Sequence, residues 1–398
     1  MSEAPIAIVL YLKWEKYKSS RLKMRKFLIV PDSFKGTLSS KQICEIIKER
    51  IAVHFSQAQT ITIPVADGGE GSVDCFLSAC GGELMECDVV NPFFENMKSF
   101  YGLLFNGKTA VIEMAACAGL PLVENRKNPM LATTYGVGLL IKDAIEKGVE
   151  EIILGLGGSA TNDFGCGAAA ALGVRFLNKK GEPFIPTGGS LFEIEKIEAN
   201  GVDSIFRNIK LTIMCDVKNP VYGENGAAYV YAPQKGATPE EVVLLDEGLK
   251  HICKIVRRDL GKDVSNLVGG GAAGAMAAGM YAFFDGCIRM GIEVVLDVVQ
   301  FDDLLDGADV VFTGEGKIDS QSLQGKVVCG VAKRAHAKNV PVIAVVGGVE
   351  GDIAPIYDMG VNSVFTINRM PEDFSISRYK SEENLRQTVD NILRALKI

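Results

Sequence analysis

Several features that mark common classes of protein are scarce or missing in this sequence. The 398 residues include one tryptophan and three histidines, and His54, His251 and His336 stand in no triad or metal-binding motif. The ten cysteines include no CxxC pair, so a zinc site and a disulfide framework are both disfavoured. The pattern instead indicates reduced, buried thiols in a cytoplasmic protein.

The motifs of two large nucleotide-binding classes are also absent. No GxxxxGKS or GxxxxGKT occurs, which excludes a Walker-type ATPase. No GxGxxG follows the first predicted strand, where the chain reads PDSFKG, so a Rossmann oxidoreductase is disfavoured. The net charge is −7 and the one dense basic stretch is Arg21 to Lys26, whereas a nucleic-acid binder usually carries a basic stripe. We therefore expect no nucleic-acid partner.

Long hydrophobic runs are missing as well. The run from Ile6 to Leu12 is too short to span a bilayer, and it has neither a basic segment before it nor a cleavage site after it. The stretch from Gly269 to Phe284 is also too short and is rich in glycine, which predicts a close-packed segment of a globular domain. We expect no membrane partner, and we interpret residues 1–23 as an N-terminal extension.

Glycine, in contrast, is abundant, and many of the 43 glycines cluster between apolar runs. Phe27 to Val30 predicts a strand, Ser39 and Gln42 have the spacing of a capping box, and Ile61 to Val65 predicts the next strand. The same order returns from Val310 onward. Alternating strands and helices predict a parallel sheet covered on both faces, as in a Rossmann-like α/β domain.

The middle of the chain has a different character. Between about residues 85 and 300, strand-like runs mix with long segments of small residues. We interpret this part as a second α/β domain inserted into the first. The predicted division is a Rossmann-like domain of residues 24–84 plus 300–398 and an inserted α/β domain of residues 85–299.

Five polar, glycine-bearing loops each follow a predicted strand. Because ligands of parallel sheets bind outside the carboxyl ends of the strands, these loops predict one composite site. They are PDSFKGTLSS (31–40), ADGGEGSVD (66–74), GLGGSATNDFG (155–165), CDVKNPVYGENG (215–226) and TGEGKIDSQSLQGK (313–326).

The loop GLGGSATNDFG is the best candidate for holding phosphate. The Gly157–Gly158 pair would let backbone N–H groups approach an anion, and Ser159 and Thr161 could add hydroxyl donors at the start of a helix. The alternative is a plain strand-to-helix turn in which Ser159, Asn162 or Asp163 caps the helix.

Charged residues stand in the other loops. Asp216, Glu315 and Asp319 carry carboxylates of the kind that hold Mg²⁺ or receive the proton of an attacking hydroxyl. Lys35 could neutralise a carboxylate or a phosphate. Taken singly, each of these residues could instead be a cap, a turn residue or a solvated charge.

In their order and positions, the five loops resemble those of type-I glycerate kinases, and the resemblance extends over residues 24–398. It implies two α/β domains with the active site in the cleft between them. It also implies that ATP phosphorylates D-glycerate with the help of Mg²⁺, giving ADP and a phosphoglycerate, commonly 2-phosphoglycerate. We expect a monomer or a homodimer.

The chemistry of phosphoryl transfer suggests roles for residues in these loops. We expect Asp319 to receive the hydroxyl proton, Lys35 to position charged groups, and Asp216 and Glu315 to hold Mg²⁺. The residues expected to bind substrate or phosphate are Ser33, Asp67, Gly68, Gly69, Glu70, Gly157, Gly158, Ser159, Thr161, Asn162 and Asp163.

Two alternatives remain open. One is a kinase for another small hydroxy acid or a sugar on the same scaffold, because pocket geometry decides the substrate. The other is a non-catalytic two-domain sensor of a small anion, against which the acidic loop residues argue.

Overall fold

The computed structural model describes residues 25–66, 68–200, 202, 206, 208–319 and 322–397. These residues form two compact units. The first contains residues 25–63, 302–319 and 331–397, and the second lies within residues 64–301 and 322–330. The second unit is therefore inserted into the first. Parallel sheets in both units confirm the predicted α/β class.

The predicted domain boundaries differ in detail from this division. Residues 64–84, which the sequence prediction places in the first domain, group with the second unit. The boundaries at residues 84 and 300 stay a prediction. The predicted extension, residues 1–23, lies outside the described residues.

The strands of the described residues lie in both units. In chain order they are β1 (Lys26–Pro31), β2 (Gln59–Thr62), β3 (Gly82–Val90), β4 (Asn96–Leu104), β5 (Thr109–Glu113), β6 (Glu151–Gly155), β7 (Arg175–Leu177), β8 (Pro183–Phe184), β9 (Lys196–Glu198), β10 (Lys210–Met214), β11 (Cys287–Arg289), β12 (Val310–Gly314), β13 (Lys317–Ile318), β14 (Val342–Val346), β15 (Gly348–Val349) and β16 (Val361–Thr366).

The α-helices of the same residues range from one turn to six. They are α1 (Ser40–His54), α2 (Ser72–Cys80), α3 (Ala115–Ala118), α4 (Tyr135–Glu146), α5 (Cys166–Ala171), α6 (Ala227–Tyr231), α7 (Pro239–Leu260), α8 (Ala272–Phe284), α9 (Gly291–Val298), α10 (Phe301–Leu304), α11 (Val327–Ala337), α12 (Ala354–Asp358), α13 (Phe374–Ser377) and α14 (Ser381–Ala395). Short 3₁₀ helices span Leu120–Val123, Gly188–Glu193, Pro233–Lys235, Ser322–Gln324 and Arg378–Lys380.

A five-stranded parallel sheet with the order β16-β14-β12-β1-β2 forms the centre of the first unit. Strand β1 is almost entirely buried, as expected where helices cover both faces. The chain runs from β1 to β2 on one side and from β12 to β16 on the other. The carboxyl ends of β1 and β12 therefore flank the point where the strand order reverses, which is where ligands of such sheets bind.

The first helix of this unit begins as the sequence predicts. The Ser39 hydroxyl accepts from the Gln42 N–H at 3.2 Å, and the Gln42 side chain accepts from the Ser39 N–H at 2.9 Å. This confirms the predicted capping box, which fixes where the loop after β1 ends. Helix α1 then buries Ile43, Ile47 and Ile51 in the core of the unit.

The second unit contains a six-stranded mixed sheet with the order β11-β10-β6-β5-β4-β3 and a small antiparallel sheet, β8-β7-β9. Strands β5, β6, β10 and β11 are parallel, and β3 and β4 add an antiparallel edge. The register places Glu113, Gly155 and Met214 side by side at the carboxyl ends of β5, β6 and β10. Loops that leave these three strands therefore start from one edge of the sheet.

The glycine-rich stretch from Gly269 to Phe284 contains helix α8, of which all residues but Tyr281 are buried. Ala273, Gly274 and Ala275 have left-handed backbone angles, so the segment is not a regular helix at its start. This confirms the predicted close-packed segment. Within the described part of the chain, none of the helices has the length and apolar character needed to cross a membrane.

Candidate active site

Two of the predicted loops pack against each other in the second unit, and one of them also contacts the end of β10. The Gly157 N–H, in the loop after β6, donates to the Gly68 carbonyl at 2.9 Å. A methyl group at Gly157 would lie 2.4 Å from the Gly69 Cα, and one at Gly68 would lie 3.2 Å from Cβ of Met214, at the end of β10. The turn 68–71 therefore lies across the ends of β6 and β10, and the glycines are needed because backbone packs directly on backbone.

The loop that follows β6 is held from its other side as well. The Leu120 N–H donates to the Gly158 carbonyl, and the Ala160 N–H donates to the Ala118 carbonyl, each at 2.9 Å. Gly158 itself is exposed, whereas Ser159 is only 7% exposed. The segment 157–159 is thus a fixed stretch of backbone that reaches the surface at Gly158, as a phosphate-binding loop requires.

Asp163 is the buried anchor of this loop. Its carboxylate accepts from the Thr134 N–H and hydroxyl at 2.8 Å each, from the Gly165 N–H at 3.1 Å and from the Gly167 N–H at 3.2 Å. Burial raises the pKa of the Asp163 carboxyl, against the lowering effect of these donors. Two of the donors belong to the start of α5, so the carboxylate accepts from N–H groups at the beginning of that helix, whose N-cap residue is Gly165. The predicted contact of Asp163 with substrate stays a prediction.

Glu113, which the sequence interpretation did not single out, anchors the turn 68–71 in a similar way. It is buried at the end of β5, and its carboxylate accepts from the Val73 N–H at 2.5 Å and the Gly71 N–H at 3.2 Å. These N–H groups lie at the start of α2, where a negative charge is favourable. Burial raises the pKa of the Glu113 carboxyl.

Lys235 is a second residue that the sequence interpretation missed. The side chain is buried, and its ammonium donates to the Ser159 hydroxyl at 2.8 Å and to the Thr161 carbonyl at 2.6 Å. It lies in the 3₁₀ helix after α6, and its ammonium contacts the loop 157–163 from the buried side. Burial lowers its pKa to about 7, with Asp163 acting in the opposite direction.

Two further polar side chains of the loop are fully buried. The Thr161 hydroxyl and both polar atoms of the Asn162 amide have no hydrogen-bond partner among the described residues. Native proteins rarely leave such atoms unpaired, because desolvation without a partner costs about 1–3 kcal/mol each. These atoms are therefore candidates for contact with water or with a bound ligand.

The third loop of the second unit carries Asp216. One oxygen of its carboxylate accepts from the Gly291 N–H at 2.7 Å, at the first residue of α9. The side chain is half-buried. Asp216 thus links the end of β10 to the start of α9. This agrees with the alternative that Asp216 caps a helix.

In the first unit, the loops after β1 and β12 contact each other. The Asp32 N–H donates to the Gly314 carbonyl at 2.8 Å. A methyl group at Gly316 would lie 3.4 Å from the backbone nitrogen of Lys35. The Gly347 N–H, which follows β14, donates to the Glu315 carbonyl at 3.2 Å. The predicted residues Ser33, Lys35 and Glu315 thus belong to one group of loops at the point where the strand order reverses.

The acidic residues of this group differ in their surroundings. Glu315 is 5% exposed, whereas the side chain of Asp319 is 27% exposed and lies 3.6 Å from the Lys317 ammonium. Lys317 also contacts Glu350. Asp319 is therefore partly exposed and lies beside a lysine that is shared with Glu350.

The predicted site residues divide between the units. Ser33, Lys35, Glu315 and Asp319 lie in the first, and Gly68, Gly69, Glu70, residues 157–163 and Asp216 lie in the second. Asp67 lies outside the described residues.

The two residues predicted to hold Mg²⁺, Asp216 and Glu315, lie in different units. The described residues contain no group of three or more histidine, cysteine or acidic side chains arranged to hold a metal. The predicted meeting of all five loops stays a prediction.

Of the two missed residues, only Glu113 left a signal in the sequence. Glu113 is the only charged residue in the run TAVIE and stands at its end, which is where a strand of a parallel sheet presents its functional residues. Lys235 is a single lysine between Pro233 and Gly236, and nothing local distinguishes it from a surface lysine. Its burial follows from tertiary packing.

The fold defines an α/β protein of two units, with glycine-bearing loops at the carboxyl ends of parallel strands. A family model described as the glycerate kinase family matches residues 27–397. The chain belongs to the glycerate kinase family.

Individual relatives agree with this assignment. A glycerate kinase from Bacillus cereus is 44% identical over 94% of this chain and 98% of its own length. A glycerate 2-kinase from Escherichia coli is 38% identical over 93% of this chain and 96% of its own. A crystal structure from Salmonella typhimurium, of a protein provisionally named glycerate kinase 2, superposes with a TM-score of 0.84 at 38% identity, over 94% of this chain and 99% of that one.

Proposed function

We propose that this protein is a glycerate kinase that transfers the γ-phosphoryl group of ATP to D-glycerate, giving 2-phosphoglycerate and ADP. The observation that carries the proposal is its membership in the glycerate kinase family over nearly the whole chain. The choice of the 2-hydroxyl follows the name of the Escherichia coli relative, a glycerate 2-kinase.

The proposed reaction breaks the bond between the γ-phosphorus and the oxygen that bridges it to ADP, and it forms a bond from that phosphorus to the glycerate hydroxyl oxygen. The hydroxyl proton passes to Asp319, which is partly exposed and lies beside Lys317. Lys35, at the turn after β1, pairs with the substrate carboxylate or a phosphate.

The nucleotide phosphates are assigned to the loop 157–163. Backbone N–H groups at Gly157 and Gly158 and the Ser159 hydroxyl would donate to phosphate oxygens. The turn 68–71, in backbone contact with this loop, would define one wall of the same subsite. Positioning of this kind is the main work of a phosphotransferase, since the reaction needs little covalent help from the protein.

Mg²⁺ is proposed as the metal that accompanies ATP. Asp216 and Glu315 offer carboxylate oxygens, the donors that Mg²⁺ prefers, and kinases commonly complete the metal shell with phosphate oxygens and water. When bound, the metal neutralises phosphate charge. The assignment of these two residues, the cytoplasmic location and the oligomeric state, a monomer or a homodimer, stay predictions.

Release of ADP tests the proposal over a panel of acceptors. Purified protein would be mixed with ATP and Mg²⁺ and with D-glycerate, L-glycerate, glycolate, D-lactate or a hexose. We expect turnover with D-glycerate to exceed that with every other acceptor. A strong preference for a sugar would support the alternative kinase, and no ADP release with any acceptor would support the small-anion sensor.

A further inference from the structure

Lys235 combines deep burial with hydrogen-bond partners that carry no charge. Its side chain is 2% exposed, and both atoms that accept from its ammonium, the Ser159 hydroxyl oxygen and the Thr161 carbonyl oxygen, belong to neutral groups. Burying an ammonium is costly unless a counter-charge is supplied. An anion bound at the loop 157–163 would supply one.

Among the described residues, the carboxylate that acts on Lys235 is already engaged by other donors. Asp163 is the charged group that acts on Lys235, and its carboxylate already accepts four hydrogen bonds from Thr134, Gly165 and Gly167. Lys127, whose backbone lies against Gly236, is exposed. The Lys235 ammonium therefore acts mainly on the loop 157–163, to which it donates both hydrogen bonds.

The hydrogen bond from the Lys235 ammonium to the Ser159 hydroxyl leaves that hydroxyl free to donate to a ligand. Because the Ser159 oxygen accepts from Lys235, the Ser159 hydroxyl proton is left to donate elsewhere, and an oxygen that accepts from a cation is a stronger donor. Ser159 directly follows exposed Gly158. The neighbouring Thr161 hydroxyl and Asn162 amide are buried without partners among the described residues, which independently indicates a ligand or water at this loop.

We propose that Lys235 is a positioning residue for the nucleotide phosphates: it orients the Ser159 hydroxyl toward a phosphate oxygen and supplies the positive charge of that subsite. The inference rests on the proposed function and names the residue that completes its phosphate site. A bound anion favours the protonated amine. When the pH lies above the pKa that Lys235 has in the nucleotide-free protein, the protein therefore takes up a proton as it binds the nucleotide.

The test compares Lys235→Met, Ser159→Ala and the double variant by titration calorimetry with ADP and Mg²⁺. Lys262→Met is the matched control, because that lysine also donates to two carbonyls of the second unit, those of Tyr281 and Ala282, away from the loop 157–163. We expect Lys235→Met to weaken ADP binding roughly 10- to 100-fold, as for a lost charged hydrogen bond. The Ser159→Ala change should then add less than about threefold, whereas Lys262→Met should bind ADP normally.

Proton linkage separates positioning from a purely structural role. At about pH 8, in two buffers of different ionisation enthalpy, the wild type should take up close to one proton per ADP, and Lys235→Met should take up none. In steady state, Lys235→Met should raise the KM for ATP and leave the KM for D-glycerate unchanged.

Several outcomes would overturn the inference while leaving the proposed function intact. These are an active wild type that takes up no proton on binding ADP, a Lys235→Met protein with normal ADP affinity, or a change confined to the KM for D-glycerate. If Lys235→Met does not fold, the wild-type proton uptake and Ser159→Ala still decide. Failure of the proposed function looks different, because the wild type would then phosphorylate no D-glycerate.

Discussion

The N–H of Gly157 donates a 2.9 Å hydrogen bond to the carbonyl oxygen of Gly68, and this bond joins two loops that are distant in the sequence. The contact is between backbones, with no side chain on either partner. It fixes the turn 68–71 against the candidate phosphate loop, so a change at either glycine alters the shape of the proposed subsite.

Gly157→Ala tests this relationship. The new methyl group would lie 2.4 Å from the Gly69 Cα, so one backbone must move, and overpacking of this kind costs about 1–3 kcal/mol. We expect a lower free energy of unfolding in urea together with a raised KM for ATP. Gly348→Ala is the control for stability, since a methyl group there meets no atom within 4 Å. Equal stability of the two variants would contradict the close approach.

Glu113→Gln tests the anchor at the start of α2. The amide keeps the size of the side chain but presents an N–H₂ group to one of the two N–H donors, Gly71 or Val73, so a buried donor loses its acceptor. We expect a loss of about 1–3 kcal/mol in the free energy of unfolding, measured by chemical denaturation. Unchanged stability would mean that these hydrogen bonds contribute nothing net.

Asp319→Asn tests the proposed proton acceptor. Because an amide cannot take the hydroxyl proton, kcat should fall roughly 100- to 10,000-fold while the KM for ATP changes little. Glu350→Gln is the matched control, since Glu350 also pairs with Lys317 but is exposed, and it should keep normal kcat. A normal kcat in Asp319→Asn would remove Asp319 from the mechanism.

The pH dependence of stability tests the burial of Lys235. Its pKa in the folded protein is about 7, below the usual value of 10.5, so between these pH values the unfolded chain binds more protons than the folded one. Stability contributed through Lys235 therefore rises with pH across this range.

The comparison with Lys235→Met isolates this effect from other titrations. From about pH 7 to pH 9, the free energy of unfolding of the wild type should increase by about 2 kcal/mol relative to the variant. Parallel stability curves for the two proteins would show that the lysine is not held in a desolvated setting.

The sequence predicts those parts of the fold that depend on local signals. The buried run after Lys26 identifies β1, and Ser39 with Gln42 marks the start of α1, because apolar periodicity and side-chain capping act within a few residues. The position of the glycine loops at strand ends follows from the same alternation of predicted strands and helices. Their packing on one another, as between Gly68 and Gly157, does not, because a strand order has to be known first.

The anchoring residues are harder to predict for a physical reason. Glu113 and Lys235 act through partners 40 or more residues away, and the local sequence of Lys235 resembles that of an ordinary surface lysine. The sequence leaves Asp163 open as an N-cap or a ligand of substrate, and in the structure the N-cap is Gly165 while Asp163 accepts from the N–H groups of Gly165 and Gly167. Only tertiary structure distinguishes a charge that anchors a loop from one that meets solvent.

Phosphorus NMR of the reaction with ATP, Mg²⁺ and D-glycerate tests the central claim most directly, because it reports turnover and the phosphorylated oxygen together. The account predicts that the signal of the γ-phosphate gives way to that of 2-phosphoglycerate, with coupling to the single hydrogen on the second carbon. A 3-phosphoglycerate signal would contradict the assigned hydroxyl, and an unchanged ATP spectrum would contradict the proposed kinase.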